Sequence, residues 1–207
     1  MSFDIVYKQK LWGHFDHQRS GPGSTVESAS NVIEFLGKVI EKYQIRSMVD
    51  VSCGDMNWQA RLLENHPEIQ FTGIDISQTA IASNIIKYQG KGQDAKVHFI
   101  CADASMDLIP EADLIICRHT MMHLKSFTVL RILERMKHSA KYMCLTSHDV
   151  LSNPDDHERQ LIGQDTYGAY KWVPTNLCIS PFHLPAPLER VQDNNDVHEH
   201  FMLWRLR

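Results

Sequence analysis

The chain has 207 residues, 43% of them apolar, with a formal net charge of −4 and no run of Lys or Arg. That length suits one domain with a full core, and the charge offers no electrostatic footprint for a nucleic acid or a membrane surface, so a small or neutral partner is expected. Five cysteines, odd in number and without C-x-x-C spacing, read as buried reduced thiols of a cytoplasmic protein, and no apolar run is long enough to span a bilayer.

Residues 1–24 form an arm or short helix carrying Phe3, Ile5, Tyr7, Leu11 and Trp12, followed by the loop Ser20-Gly-Pro-Gly-Ser24. Ser24-Thr-Val-Glu27 has the pattern of a capping box, and Val32, Ile33, Leu36, Val39, Ile40 and Tyr43 keep one apolar face, predicting a helix over 25–44. Strands are then predicted at 48–52, 70–74, 96–100, 113–117 and 142–146. Between them lie helices near 57–65 and 78–88 and one beginning at Ser126. Strands alternating with helices imply right-handed βαβ units and a doubly wound α/β fold, a mostly parallel Rossmann-like sheet. Residues 147–187 lose all periodicity beyond a short helix near 155–162, and hold five prolines and several aromatics. A stretch this long inside a single domain reads as a lid insertion. Leu188–Gln192 and His198–Leu206 flank Asp193-Asn-Asn-Asp196, a hairpin signal that brings the sheet to seven strands.

The chain is organised around Arg46–Trp58, RSMVDVSCGDMNW, in which a buried strand runs into a glycine turn and a helix start. About 20 residues on, the second strand ends in Asp75, where a Rossmann-type site holds two ribose hydroxyls. A dinucleotide fingerprint needs three glycines; here Ser52, Gly54 and Met56 occupy those places, which disfavours a nicotinamide oxidoreductase. The turn instead resembles the first motif of class I S-adenosylmethionine (SAM) methyltransferases, D-x-G-x-G-x-G, on Asp50, Ser52, Gly54 and Met56. The terminal hairpin agrees, since these enzymes resemble other doubly wound folds except for an antiparallel last strand beside the fifth. From Trp12 to Trp204 the SGPGS, DVSCGD, ADLIICRHTMMHL and PFHLPAPL motifs are similar to those of a family of small single-domain methyltransferases.

The resemblance implies SAM as cofactor and methylation of N or O on a small molecule; a noncatalytic SAM-binding or interaction module is the alternative. It implies Asp75 on the ribose, unless that residue only caps the next helix. It places Asp103 and the Ala104 N–H on the adenine, and Ile76 and Met106 on its faces. Ser52, Cys53, Gly54, Asp50 and Asp55 lie toward the methionine part, with Trp12, Arg19, Ser24 and Arg118 around it and Arg19 facing its carboxylate. Methyl transfer needs in-line placement, which can supply roughly 7–11 kcal/mol, and a deprotonated acceptor, where a base adds about 10²–10⁴-fold. His119 is the first candidate base and His148 the second. His123 is a third, for which a packed residue at the start of the helix is the stronger reading. Tyr167, Tyr170, Trp172, Asn176 and Phe182 would wall the acceptor pocket or simply pack. No clustering of acidic residues calls for a metal.

Overall fold

The computed structural model describes residues 3–12, 19–88, 96–157, 172–193 and 198–207. After helix α1 (Phe3–Gln9) and a single 3-10 turn (Pro22–Ser24) come α2 (Ser30–Tyr43), β1 (Ser47–Val51), α3 (Asn57–Asn65), β2 (Gln70–Asp75) and α4 (Gln78–Tyr88). Then follow β3 (Val97–Cys101), β4 (Ala112–Cys117), a 3-10 turn (Met121–His123), α5 (Ser126–Ser139), β5 (Ala140–His148), β6 (Glu189–Gln192) and β7 (Glu199–Arg205). The seven strands are ordered β3-β2-β1-β4-β5-β7-β6. β1 to β5 are parallel, and β7 enters antiparallel beside β5, with Leu145 opposite Met202.

The period of two along each central strand sorts the core into two layers. Met48, Leu114, Ile116, Phe201 and Leu203 face α2 and α3 with Leu36, Trp58 and Leu62. Val49, Val51, Ile115, Met202 and Trp204 face α5 with Val129, Leu133 and Met136. Strand order reverses between β1 and β4, so a crevice opens past their C-terminal ends, where ligands of open α/β sheets bind.

Three expectations need correction. The capping box does not form, because the Ser24 hydroxyl donates to the Gly21 carbonyl (2.7 Å) and a separate turn follows, with the Thr25 hydroxyl accepting from the Ser28 N–H (3.1 Å). Helix α2 therefore starts at Ser30, five residues late. The cysteines are all free thiols, but Cys101 is exposed and Cys178 only half-buried.

The third concerns the lid over 147–187. Tyr167, Tyr170, most of the short helix near 155–162 and the Asn194–Asp196 turn lie outside the described residues. Residues 172–184, which are described, anchor in the core: Val173, Leu177, Phe182 and Leu184 are buried, the last three against the α5 layer. Leu177 N–H donates to the Ser147 hydroxyl (3.0 Å) and Leu184 N–H to the Leu177 carbonyl (2.9 Å). In hydrogen exchange on the free protein, the Leu177 and Leu184 amides should be as protected as those of β5. Exchange within seconds would restore a mobile lid there.

Candidate active site

The β1–α3 turn has the backbone of a glycine turn even where glycine is absent. Ser52 (φ 74°), Gly54 (φ 56°) and Met56 (φ 59°) all take left-handed conformations, at the three places where the resembled motif carries glycine. Left-handed geometry at the two non-glycine positions costs about 1–2 kcal/mol each. Burial of the Met56 side chain, 1% exposed among the α2–α3 layer, offsets its share. At Gly54 no side chain fits, since a Cβ would strike the Ser20 hydroxyl and lie 3.0 Å from the Tyr7 hydroxyl. The 19–24 loop and α1 are thus laid against this turn. Asp55 fastens them, accepting from the Arg19 N–H (2.8 Å) and the Ser20 hydroxyl, while its own N–H donates to Ser20 Oγ (3.1 Å).

Asp75 ends β2 beneath the turn and accepts from the Gly54 N–H (3.0 Å) and the Ser77 N–H (2.8 Å). It therefore holds the turn and the start of α4 together, as the helix-capping alternative expects. Asp103, past β3, accepts from the Ser105 N–H (2.8 Å) and hydroxyl (2.7 Å). A cavity of about 380 Å³ joins these groups and continues to the end of β4. Its lining includes Trp12, Ser24, Asp50, Ser52, Gly54, Asp55, Asp75, Ile76, Asp103, Ala104, Arg118, His119 and His123, and also Tyr7, Ser20 and Trp58. Arg19, Met106, His148, Trp172, Asn176 and Phe182 are not among the lining residues.

Burial pushes Asp75 up to about 6 against its two N–H bonds, and pushes Asp50 up to about 7 against its hydrogen bond from Gln59 Nε2 (2.7 Å). Both folded values exceed the ordinary 3.8, so the folded chain binds more protons than the unfolded one between these limits. The associated stability is full below pH 4 and is lost as pH rises through about 7. Asp50→Asn should therefore stabilise the cofactor-free protein at pH 8, by on the order of 2–4 kcal/mol, and flatten its melting temperature between pH 5 and 8. An unchanged slope in thermal melts would contradict the assignment of Asp50.

The end of β4 differs most from expectation. The Arg118 guanidinium spends its fork on Asp193, with Nε and Nη2 donating at 2.8 and 2.7 Å, and its Nη1 donates to the Gly23 carbonyl at 2.6 Å. It is stacked over Trp58 as well (5.7 Å). It pins the loop over the cavity instead of offering a free charge to a ligand. His119, in a left-handed conformation with its N–H on the Thr146 hydroxyl (3.0 Å), has Nε2 2.6 Å from Glu199 Oε1 and 3.3 Å from Asp193 Oδ2. Burial alone would lower its pKa, but the hydrogen bonds to Asp193 and Glu199 outweigh burial and raise it. Glu199, against its own burial, is held far below the usual carboxylate range by His119 and His148. Nε2 of His119 is thus taken up by carboxylates and is not a ready base. Its Nδ1 edge lies under Gly23, where a Cβ would come within 2.8 Å.

His148 is corrected too. It is 2% exposed, takes the Thr175 N–H on Nδ1 (3.1 Å) and is stacked under Trp172 (5.7 Å between rings), away from the cavity. Asn176 is likewise structural, donating from its side chain to the Val150 carbonyl (2.9 Å) and accepting the Cys178 N–H (2.9 Å). His123 does face the cavity, stacked on Trp12 (5.3 Å, 28°). The sequence reading missed Asp193, Glu199, Ser20 and Tyr7. Of these only Ser20 and Tyr7 had a signal, in the SGPGS loop and the apolar arm.

A family model described as a methyltransferase domain matches residues 49–142, from β1 into β5. Among solved structures, magnesium protoporphyrin IX methyltransferase from Synechocystis PCC 6803 with bound S-adenosylhomocysteine (SAH) superposes with a TM-score of 0.66 at 14% identity, over 97% of this chain and 94% of that one. The mitomycin 7-O-methyltransferase MmcR gives 0.64 at 13% identity over 87% of this chain, and human N-acetylserotonin methyltransferase with SAM gives 0.56 at 15% over 97%. The chain spans about half the length of these last two, 53% and 54%. A search of curated proteins finds no significant sequence match. The matched domain, the antiparallel β7 beside β5 and the glycine-turn backbone at Ser52, Gly54 and Met56 give this chain the fold of the class I SAM-dependent methyltransferases.

Proposed function

We propose that the protein moves the methyl group of SAM to N or O of a small-molecule acceptor, chiefly by positioning. The observation that carries this reading is the continuity of one 380 Å³ cavity from Asp103 and Asp75, past the glycine turn, to His119 and the Trp12–His123 stack. The first half fits the cofactor: a close backbone approach at Gly54, a buried acid at Asp75 for the ribose, and Asp103, Ala104 and Ile76 for the adenine. Asp50, Ser52, Asp55 and Ser24 border the methionine portion. When bound, the cofactor supplies an electrophilic methyl group that needs no covalent help from the protein.

The second half, with aromatic walls at Trp12 and Trp58, suits a small planar acceptor. There His119, anchored through Nε2, aligns the acceptor, and the Trp12–His123 stack fixes its plane. A net charge of −4 without a basic groove disfavours nucleic acid as acceptor, and among the described residues no helix is long and apolar enough to cross a membrane. Free thiols throughout suit a reducing, cytoplasmic setting.

Incubating the enzyme with methyl-labelled SAM and a cell extract separated by size tests the proposal. Label should appear in the small-molecule fraction and depend on the enzyme; label confined to protein or RNA would refute a small acceptor.

A further inference from the structure

We infer that His119, Asp193 and Glu199 bind one first-row divalent cation at the edge of the cavity. His119 Nε2 and one oxygen from each carboxylate lie within 4.8 Å of one another. Ligand atoms about 2.0–2.2 Å from a tetrahedral ion stand roughly 3.4 Å apart. The His119–Asp193 distance of 3.3 Å already has that value, and the His119–Glu199 distance of 2.6 Å needs to open by less than an ångström.

His148 is an independent pointer. Its side chain is 2% exposed, and its Nε2 is aimed at the second Glu199 oxygen from 3.3 Å without the geometry of a full hydrogen bond. A histidine set behind a carboxylate in this way is what metal centres place in support of their ligands.

Charge points the same way. Asp193 and Glu199 bring two negative charges and Arg118 one positive, so the carboxylates are not fully matched by the guanidinium. Arg118 does not block an ion, since each Asp193 oxygen keeps a lone pair beyond the one the fork uses. Mixed nitrogen and carboxylate donors favour zinc, manganese, iron or cobalt over magnesium or calcium.

His119 borders the cavity while Asp193 and Glu199 lie buried behind it, so the ion would lock the His119 ring at the edge of the acceptor space. This role rests on the methyl-transfer reading; the ion site itself does not.

The test uses tag-free enzyme stripped with EDTA and titrated with Co²⁺ by visible absorption and with Zn²⁺ by calorimetry. The wild type should saturate at one equivalent. Glu199→Gln and His119→Gln should each weaken binding by about 100-fold or more, and Asp149→Asn, a nearby carboxylate outside the group, should not. Circular dichroism and SAH binding check that the variants fold; if Glu199→Gln does not, His119→Gln decides. Absence of 1:1 binding in the wild type, or undiminished binding in the folded variants, overturns the site. Ion binding without methyl transfer would sink the reaction reading and leave the site standing, and methyl transfer by an enzyme that binds no ion would do the reverse.

Discussion

Asp75→Asn should weaken SAH binding on the order of 100-fold. The carboxylate is 6% exposed, at the floor of the cavity, and two ribose hydroxyls donating to it would make hydrogen bonds to a charged group worth about 1.5–3 kcal/mol each. An amide offers one oxygen where the carboxylate offers two, and its NH₂ opposes either a hydroxyl or a backbone N–H. Asp75 already serves Gly54 and Ser77, so Asp75→Ala would also release the turn and confuse lost contacts with lost geometry. The asparagine variant should keep its circular dichroism spectrum and lose affinity, and calorimetry measures both affinities. An affinity within twofold of wild type would remove Asp75 from the cofactor site.

Asp193→Ala should be the most destabilising change at the β4 end. Arg118 is 6% exposed and Asp193 fully buried, and the pair is bidentate. Removing one partner of a buried ion pair costs about 3–5 kcal/mol, because the remaining charge is stranded away from water. For a chain of this size that corresponds to a fall in melting temperature of roughly 10 °C. The Gly23 carbonyl would keep its bond to Arg118 Nη1 only if the guanidinium stayed in place, so the loop over the cavity should loosen as well. A melting temperature within about 2 °C of wild type would mean that water reaches Arg118.

The sheet was legible because its signal is local. Alternating Met48 and Val49, or Leu114 and Ile115, sort to opposite layers by a period that any reader of the sequence can count, and predicted strands fall within one residue at most ends. β5 is the exception, running from Ala140 to His148, because it is paired on both sides and its ends are fixed by β4 and β7. The turn motif was legible by position, yet Met56 looked like a departure; its left-handed φ shows that the backbone shape is kept while the side chain is used for packing.

What stayed hidden is long-range. Asp193 reads as a turn residue and Glu199 as a strand-end charge, and nothing local says that they meet Arg118 and His119, 75 and 80 residues earlier. His148 does sit at the end of β5, but the strand's alternation turns it under Trp172 instead of toward the cavity. Residues 172–184 lack periodicity because they are irregular chain bonded to Ser147, His148 and Asn153, and irregular segments can be buried without any repeating pattern.

The most direct measurement is an amide chemical-shift map of the protein titrated with SAH. The largest shifts are expected at Ser52, Gly54, Asp75, Ile76 and Ala104, saturating together at one equivalent, with β6 unchanged. Shifts centred elsewhere, or none with SAH while NADH perturbs the same amides, would contradict a SAM-dependent methyltransferase site in this cavity.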